Sequence, residues 1–139
     1  MTEHLYNTPG GVDVARWPLV IIRPPSGVSV DGSDLDAFCR ELESMLARKR
    51  PFAALYDVRG IRMGADRRNQ LIAWATENDA AIRQYMSALA FVIGSELERA
   101  EVTSAFWRLN RTYHACVFES ESDAERWLLS EFARGEGAN

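Results

Sequence analysis

Four short apolar runs, each followed by a stretch with one apolar face, leave few architectures open to this chain. The runs are Leu19-Val20-Ile21-Ile22, Phe52 to Val58, Ala88 to Ile93 and His114 to Phe118. A run that is apolar on both of its alternating faces must be covered from both sides, as the inner strands of a layered sheet are. Pro18 stands before the first run and Pro24-Pro25 after it. Proline has no N–H for a ladder, so this strand stops by Arg23. Gly94 stops the third.

The intervening stretches repeat at helical spacing. Ser33 opens a first helix with Leu35, Phe38, Cys39, Leu42, Met45 and Leu46 on one face, and Pro51 ends it. A second helix is predicted from about Asp66 to Met86, with Leu71, Trp74, Ala75, Asn78, Ile82 and Tyr85 inward. Asn78 is the odd polar member of that stripe. Ser95-Glu96-Leu97-Glu98 and Ser122-Asp123-Ala124-Glu125 have the form of capping boxes, in which serine and glutamate satisfy each other's backbone amides. The helices behind them carry Val102, Ala105, Phe106, Leu109 and Tyr113, then Ala124, Trp127, Leu128 and Phe132.

Strand followed by helix, four times over, specifies an α/β domain with a mostly parallel sheet of four to five strands covered by helices. Pro9-Gly10-Gly11 marks a turn, and its neighbours form a short N-terminal edge hairpin ending near Trp17. The 139 residues make one domain, with its core at about 12–130 and flexible ends at 1–11 and 134–139. Well-filled helical stripes imply a closed core with little room for a lipid.

Charge and composition exclude several functions. The net charge is −4, the wrong sign for a generic nucleic-acid binder or an electrostatic membrane-surface protein. No apolar run approaches the length of a membrane span. With no leader-like apolar segment and no paired cysteine motif, the expected setting is the cytoplasm, with Cys39 and Cys116 as buried free thiols. Of 16 basic residues only Lys49 is lysine, a bias that fits a GC-rich coding background.

No phosphate-binding glycine loop, nucleophile elbow or zinc spacing is present, so no cofactor, metal or catalytic residue is assigned and the chain is read as a non-enzyme. Asp57 closes the second strand at the carboxyl edge of the sheet, where α/β domains place ligands. It either caps the following loop and pairs with Arg59 or Arg62, or it belongs to a site. The loop and the next helix hold Arg59, Arg62, Asp66, Arg67 and Arg68. Arginines beside a helix amino end would suit an anion, and otherwise form a solvated basic face. Trp107, next to Arg108, falls beside its helical stripe and is a candidate for a protein interface.

Four segments carry a resemblance. They are Leu55-Tyr56-Asp57 after the first helix, the arginine-containing helix with Trp74, the Ala90-Phe91-Val92-Ile93 strand with Ser95 behind it, and Val117-Phe118 followed by Ala124-Glu125-Arg126-Trp127-Leu128. Together, over about 12–130, the pattern resembles the SpoIIAA-like fold of STAS domains and of small stand-alone bacterial STAS/SEC14-like proteins. The resemblance implies a regulatory or scaffolding module of bacterial signalling that binds another protein. It also implies, in anti-anti-sigma factors, a phosphorylated serine at the start of the second helix. Here Gly64-Ala65-Asp66-Arg67 holds no serine or threonine, and Asp66 offers a fixed negative charge instead. An exposed strand edge or the last helix offers a route to a homodimer.

Overall fold

The computed structural model describes residues 10–27, 33–108 and 113–137, and among them it has five strands and five helices. In chain order these are β1 (Gly11–Asp13), β2 (Leu19–Arg23), α1 (Ser33–Leu46), β3 (Phe52–Asp57), α2 (Ala65–Glu77), α3 (Asp79–Tyr85), β4 (Met86–Val92), α4 (Glu96–Arg108), β5 (Ala115–Phe118) and α5 (Glu121–Gly137). The sheet order is β1-β2-β3-β4-β5, with β1 antiparallel to β2 and every other neighbour pair parallel.

The edge hairpin turns later than the sequence suggests. Gly11 pairs with Arg23 and Asp13 with Ile21, so the reversal lies between Asp13 and Leu19 and not at Pro9-Gly10-Gly11. Residues 1–9 lie outside the described part. Gly10 sits at φ +78, and a Cβ there would come within 2.5 Å of the Pro25 nitrogen and 2.6 Å of the Arg23 carbonyl. A side chain at position 10 would push β1 off the β2 end.

Strands laid down in sequence order make every crossover step the same way. Right-handed crossovers then put successive helices on one face. Phe38, Leu42 and Ile82 accordingly pack with Val20, Ile22, Ala54 and Leu89, and Phe106 of α4 meets Phe91 edge-on at 6.2 Å. This is the front face. Only α5, after the last strand, covers the back among the described helices. Its Ala124 and Leu128 lie against Leu19, Ala53, Leu55, Ala88, Ala90 and Val92. Three alanines in the sheet let this helix lie close, and the back face is filled.

The front face is not. The helices leave a cavity of ≈ 230 Å³ above β3 and β4, bordered by Tyr56, Leu71, Trp74, Phe91, Ala105 and Phe106 among others. The expected closed core is thus corrected. Alanines at 75 and 105 do not fill the space between the aromatic rings, a mismatch of volume that helical periodicity does not register.

The predicted second helix is also corrected, because it breaks at Asn78 into α2 and α3. The Asn78 side chain donates to the Trp74 carbonyl at 2.9 Å, beside the backbone N–H of the same residue at 3.0 Å. An asparagine that competes for backbone groups in this way ends helices. The capping boxes differ from their expected form too. Ser95 Oγ accepts from the Glu98 N–H, but Glu98 reaches the amides of Gly94 and Gly60. Ser120, two residues before the predicted serine, caps α5 by accepting from the Asp123 N–H. That helix runs on to Gly137, through residues expected to fray. Cys39 is half-buried and Cys116 exposed, so the two thiols are free but not both in the core.

Candidate functional site

Strand parity decides which face each candidate residue reaches. Leu55 packs toward α5, so Asp57 does too, and Arg23 follows Leu19 and Ile21 to the same side. Asp57 is only 4% exposed. Its Oδ1 accepts from Arg59 N–H and Nε at 3.1 and 2.9 Å, and its Oδ2 from Arg23 Nη1 and from Arg59 Nη2 at 2.8 Å. Arg59 Nη2 also meets Glu121 Oε1 of α5 at 2.6 Å. Burial alone would raise the Asp57 pKa. The hydrogen bonds from Arg59 and the charges of Arg23 and Arg59 more than offset this and hold it below the usual carboxylate range. Arg59 is pushed up, first by its bond to Asp57.

This cluster contains two guanidinium groups and two carboxylates, so its charges balance. An incoming anion would have to displace a carboxylate already bonded in bidentate fashion. The cluster ties β2, β3 and α5 together at the carboxyl edge. Arg23 and Glu121, which complete it, were absent from the sequence-derived set, although the parity shared by Leu19, Ile21 and Arg23 is visible in the sequence.

The remaining arginines are dispersed on the opposite side. Arg67 pairs with Asp34 at the start of α1 at 2.8 Å, and its buried Nε has no hydrogen-bond partner among the described residues. Arg68 pairs with Glu101 of α4 at 2.9 Å and donates to the Met63 carbonyl at 3.1 Å. Arg62 is exposed, and its N–H donates to buried Ser26 Oγ while its carbonyl accepts from the Gly27 N–H. Asp66 is exposed in the first turn of α2, where its charge suits the helix dipole. The sequence cluster therefore becomes a set of separate ties between elements. The side chain of Trp107 lies outside the described residues.

The loop at 58–64 and the first turn of α4 border an open depression at the carboxyl edge, whose lining includes Gly60, Ile61, Arg62, Met63, Leu97 and Glu101. Leu97 is 70% exposed there, the most exposed large apolar residue among those described. Among the described residues no group of three metal-ligating side chains comes together, and no helix is long and apolar enough to cross a membrane.

No family model and no curated protein sequence matches this chain. A crystal structure does. It is that of an uncharacterized DUF3478-family protein with a SpoIIAA-like fold from Shewanella loihica, which superposes with a TM-score of 0.62 over 86% of this chain and 91% of that one, at 19% identity. Taken with the sheet order and the placement of α5 on the back face, this match shows that the chain has the SpoIIAA-like fold.

Proposed function

We propose that the chain is a non-enzymatic regulatory or scaffolding module of bacterial signalling that acts in the cytoplasm by binding another protein. The SpoIIAA-like fold is compatible with such a role. The observation that carries the reading is Leu97, a large apolar side chain held 70% exposed beside Ile61 and Met63 in an open depression. An apolar centre with Arg62 and Glu101 around it has the anatomy of a protein-recognition surface. Arg59, Arg67 and Arg68, three of the four arginines that would otherwise suggest an anion site, are bonded to the chain's own carboxylates.

Affinity capture from native lysate tests this with three proteins: the wild type, Leu97→Glu, and Leu129→Glu as a control on α5. Leu129 is the other exposed large apolar residue among those described. A buried interfacial leucine replaced by a charge weakens binding by about tenfold or more. Leu97→Glu is therefore expected to lose a specific partner that Leu129→Glu retains. Identical captured sets for all three proteins would contradict the reading. Loss with Leu129→Glu alone would move the contact to the α5 face, where a homodimer would also form.

A further inference from the structure

The cavity on the front face lies apart from the Asp57 cluster and has a definite chemistry. Its wall is almost wholly apolar. Most polar side chains that reach it are already bonded within the protein. Arg68 meets Glu101, Glu98 accepts from the Gly60 and Gly94 amides, Trp74 Nε1 donates to Glu43, and the Tyr113 hydroxyl donates to Asp79. None of these groups is left to neutralise a charge on a guest.

Tyr56 is the exception. It lies on the cavity wall in the middle of the sheet, edge-on to Phe91 at 5.8 Å. Its hydroxyl finds no hydrogen-bond partner among the described residues. The side chain is half-buried and borders the cavity. Burial pushes the hydroxyl pKa up, so the group stays an O–H donor. A guest that supplies an acceptor would give this donor a direct partner inside the cavity.

We propose that this cavity binds a neutral, largely apolar small molecule that presents one acceptor, such as a ketone or ester carbonyl, to the Tyr56 hydroxyl. An apolar cavity of about 150 Å³ takes benzene, so ≈ 230 Å³ admits roughly nine non-hydrogen atoms. That excludes a two-chained lipid and suits a small aromatic or medium-chain ketone or ester. A carboxylate guest is disfavoured, because no cation on the wall is left to meet it.

The matched pair propiophenone and n-propylbenzene, which differ by a carbonyl, tests the assignment by calorimetric titration of the full chain. Wild type is expected to bind both and to prefer propiophenone about fivefold, the worth of one neutral hydrogen bond. Tyr56→Phe, which keeps the ring, is expected to remove that preference while leaving n-propylbenzene affinity unchanged. Ala105→Leu, which takes up part of the cavity and leaves room for only about six atoms, is expected to weaken binding of both. Leu97→Glu is expected to bind the probes as wild type does, so that this result stands or falls separately from the partner surface. Absence of binding by either probe to folded wild type would overturn the proposal. So would an undiminished preference in Tyr56→Phe, or both probes binding a folded Ala105→Leu protein as tightly as wild type.

Discussion

Asp57→Asn is expected to cost the folded state about 2–4 kcal/mol, seen as a lower urea midpoint at neutral pH. Asparagine retains one acceptor oxygen for the Arg59 amide, but turns an NH2 group toward the guanidinium donors of Arg23 or Arg59. Two cations then face each other around a buried position with no anion between them. Both arginines keep access to water, with side chains 41% and 39% exposed, which holds the cost below that of a fully buried pair. The effect also has a signature in pH. The folded carboxyl titrates below its unfolded value of about 3.9. Its contribution is therefore fully present above that value and is lost as pH falls through the lower, folded one. The gap in midpoint between wild type and Asp57→Asn should be widest near neutral pH and close toward strong acid. The half-buried carboxylates Asp79 and Glu131 also sit below their usual range, so the difference between the two proteins is the quantity to follow. A gap that stays constant down to strong acid would show that the substitution acts through packing.

Leu128→Ala is expected to be as severe, at about 3–4 kcal/mol. Leu128 is fully buried against Leu55, Ala88, Ala90 and Val92, and α5 is the only helix on the back face among the described residues. Alanines in the sheet cannot move into the space left behind, so the cavity persists and the cost stays near the upper part of the range. Limited proteolysis adds a second readout. With its central anchor gone, α5 should be cut at low protease concentrations while the front layer remains intact. A loss below about 1 kcal/mol would show that α5 is held mainly by the edge contacts of Trp127 with Phe118 and His114.

Much of this fold is legible in the chain, and the parts that are not share a cause. Three of the four apolar runs place β2, β3 and β4 because a strand covered on both faces can tolerate no polar alternation, whereas the fourth forms the edge strand β5 with Cys116 exposed. The repeated crossovers imply the parallel pairing. What helical stripes cannot say is how two apolar surfaces match in volume. Ala75 and Ala105 are correct members of their stripes, and yet they leave the front face open. Asn78 is visible as an anomaly, but its capture of the Trp74 carbonyl depends on backbone geometry. The arginine-rich segment illustrates the limit for sites. Closeness in sequence groups Arg59, Arg62, Arg67 and Arg68, whereas the fold sends Arg59 to α5, Arg67 to α1 and Arg68 to α4. Counting alternation back from Asp57 and Arg23 would have paired those two, and the same count puts Tyr56 on the opposite face from both.

One substitution made at two places tests the unequal filling of the two faces. Alanine and leucine have nearly equal helix propensity, so Ala→Leu in a helix reports on space. Ala124 is fully buried in the packed back layer, and Ala105 borders the cavity on the front. Thermal unfolding of Ala124→Leu is expected to show a loss of about 1–3 kcal/mol from overpacking. Ala105→Leu is expected to be neutral or to gain up to about 1 kcal/mol by filling the void. Equal losses for both variants would mean that the front face has no room to give.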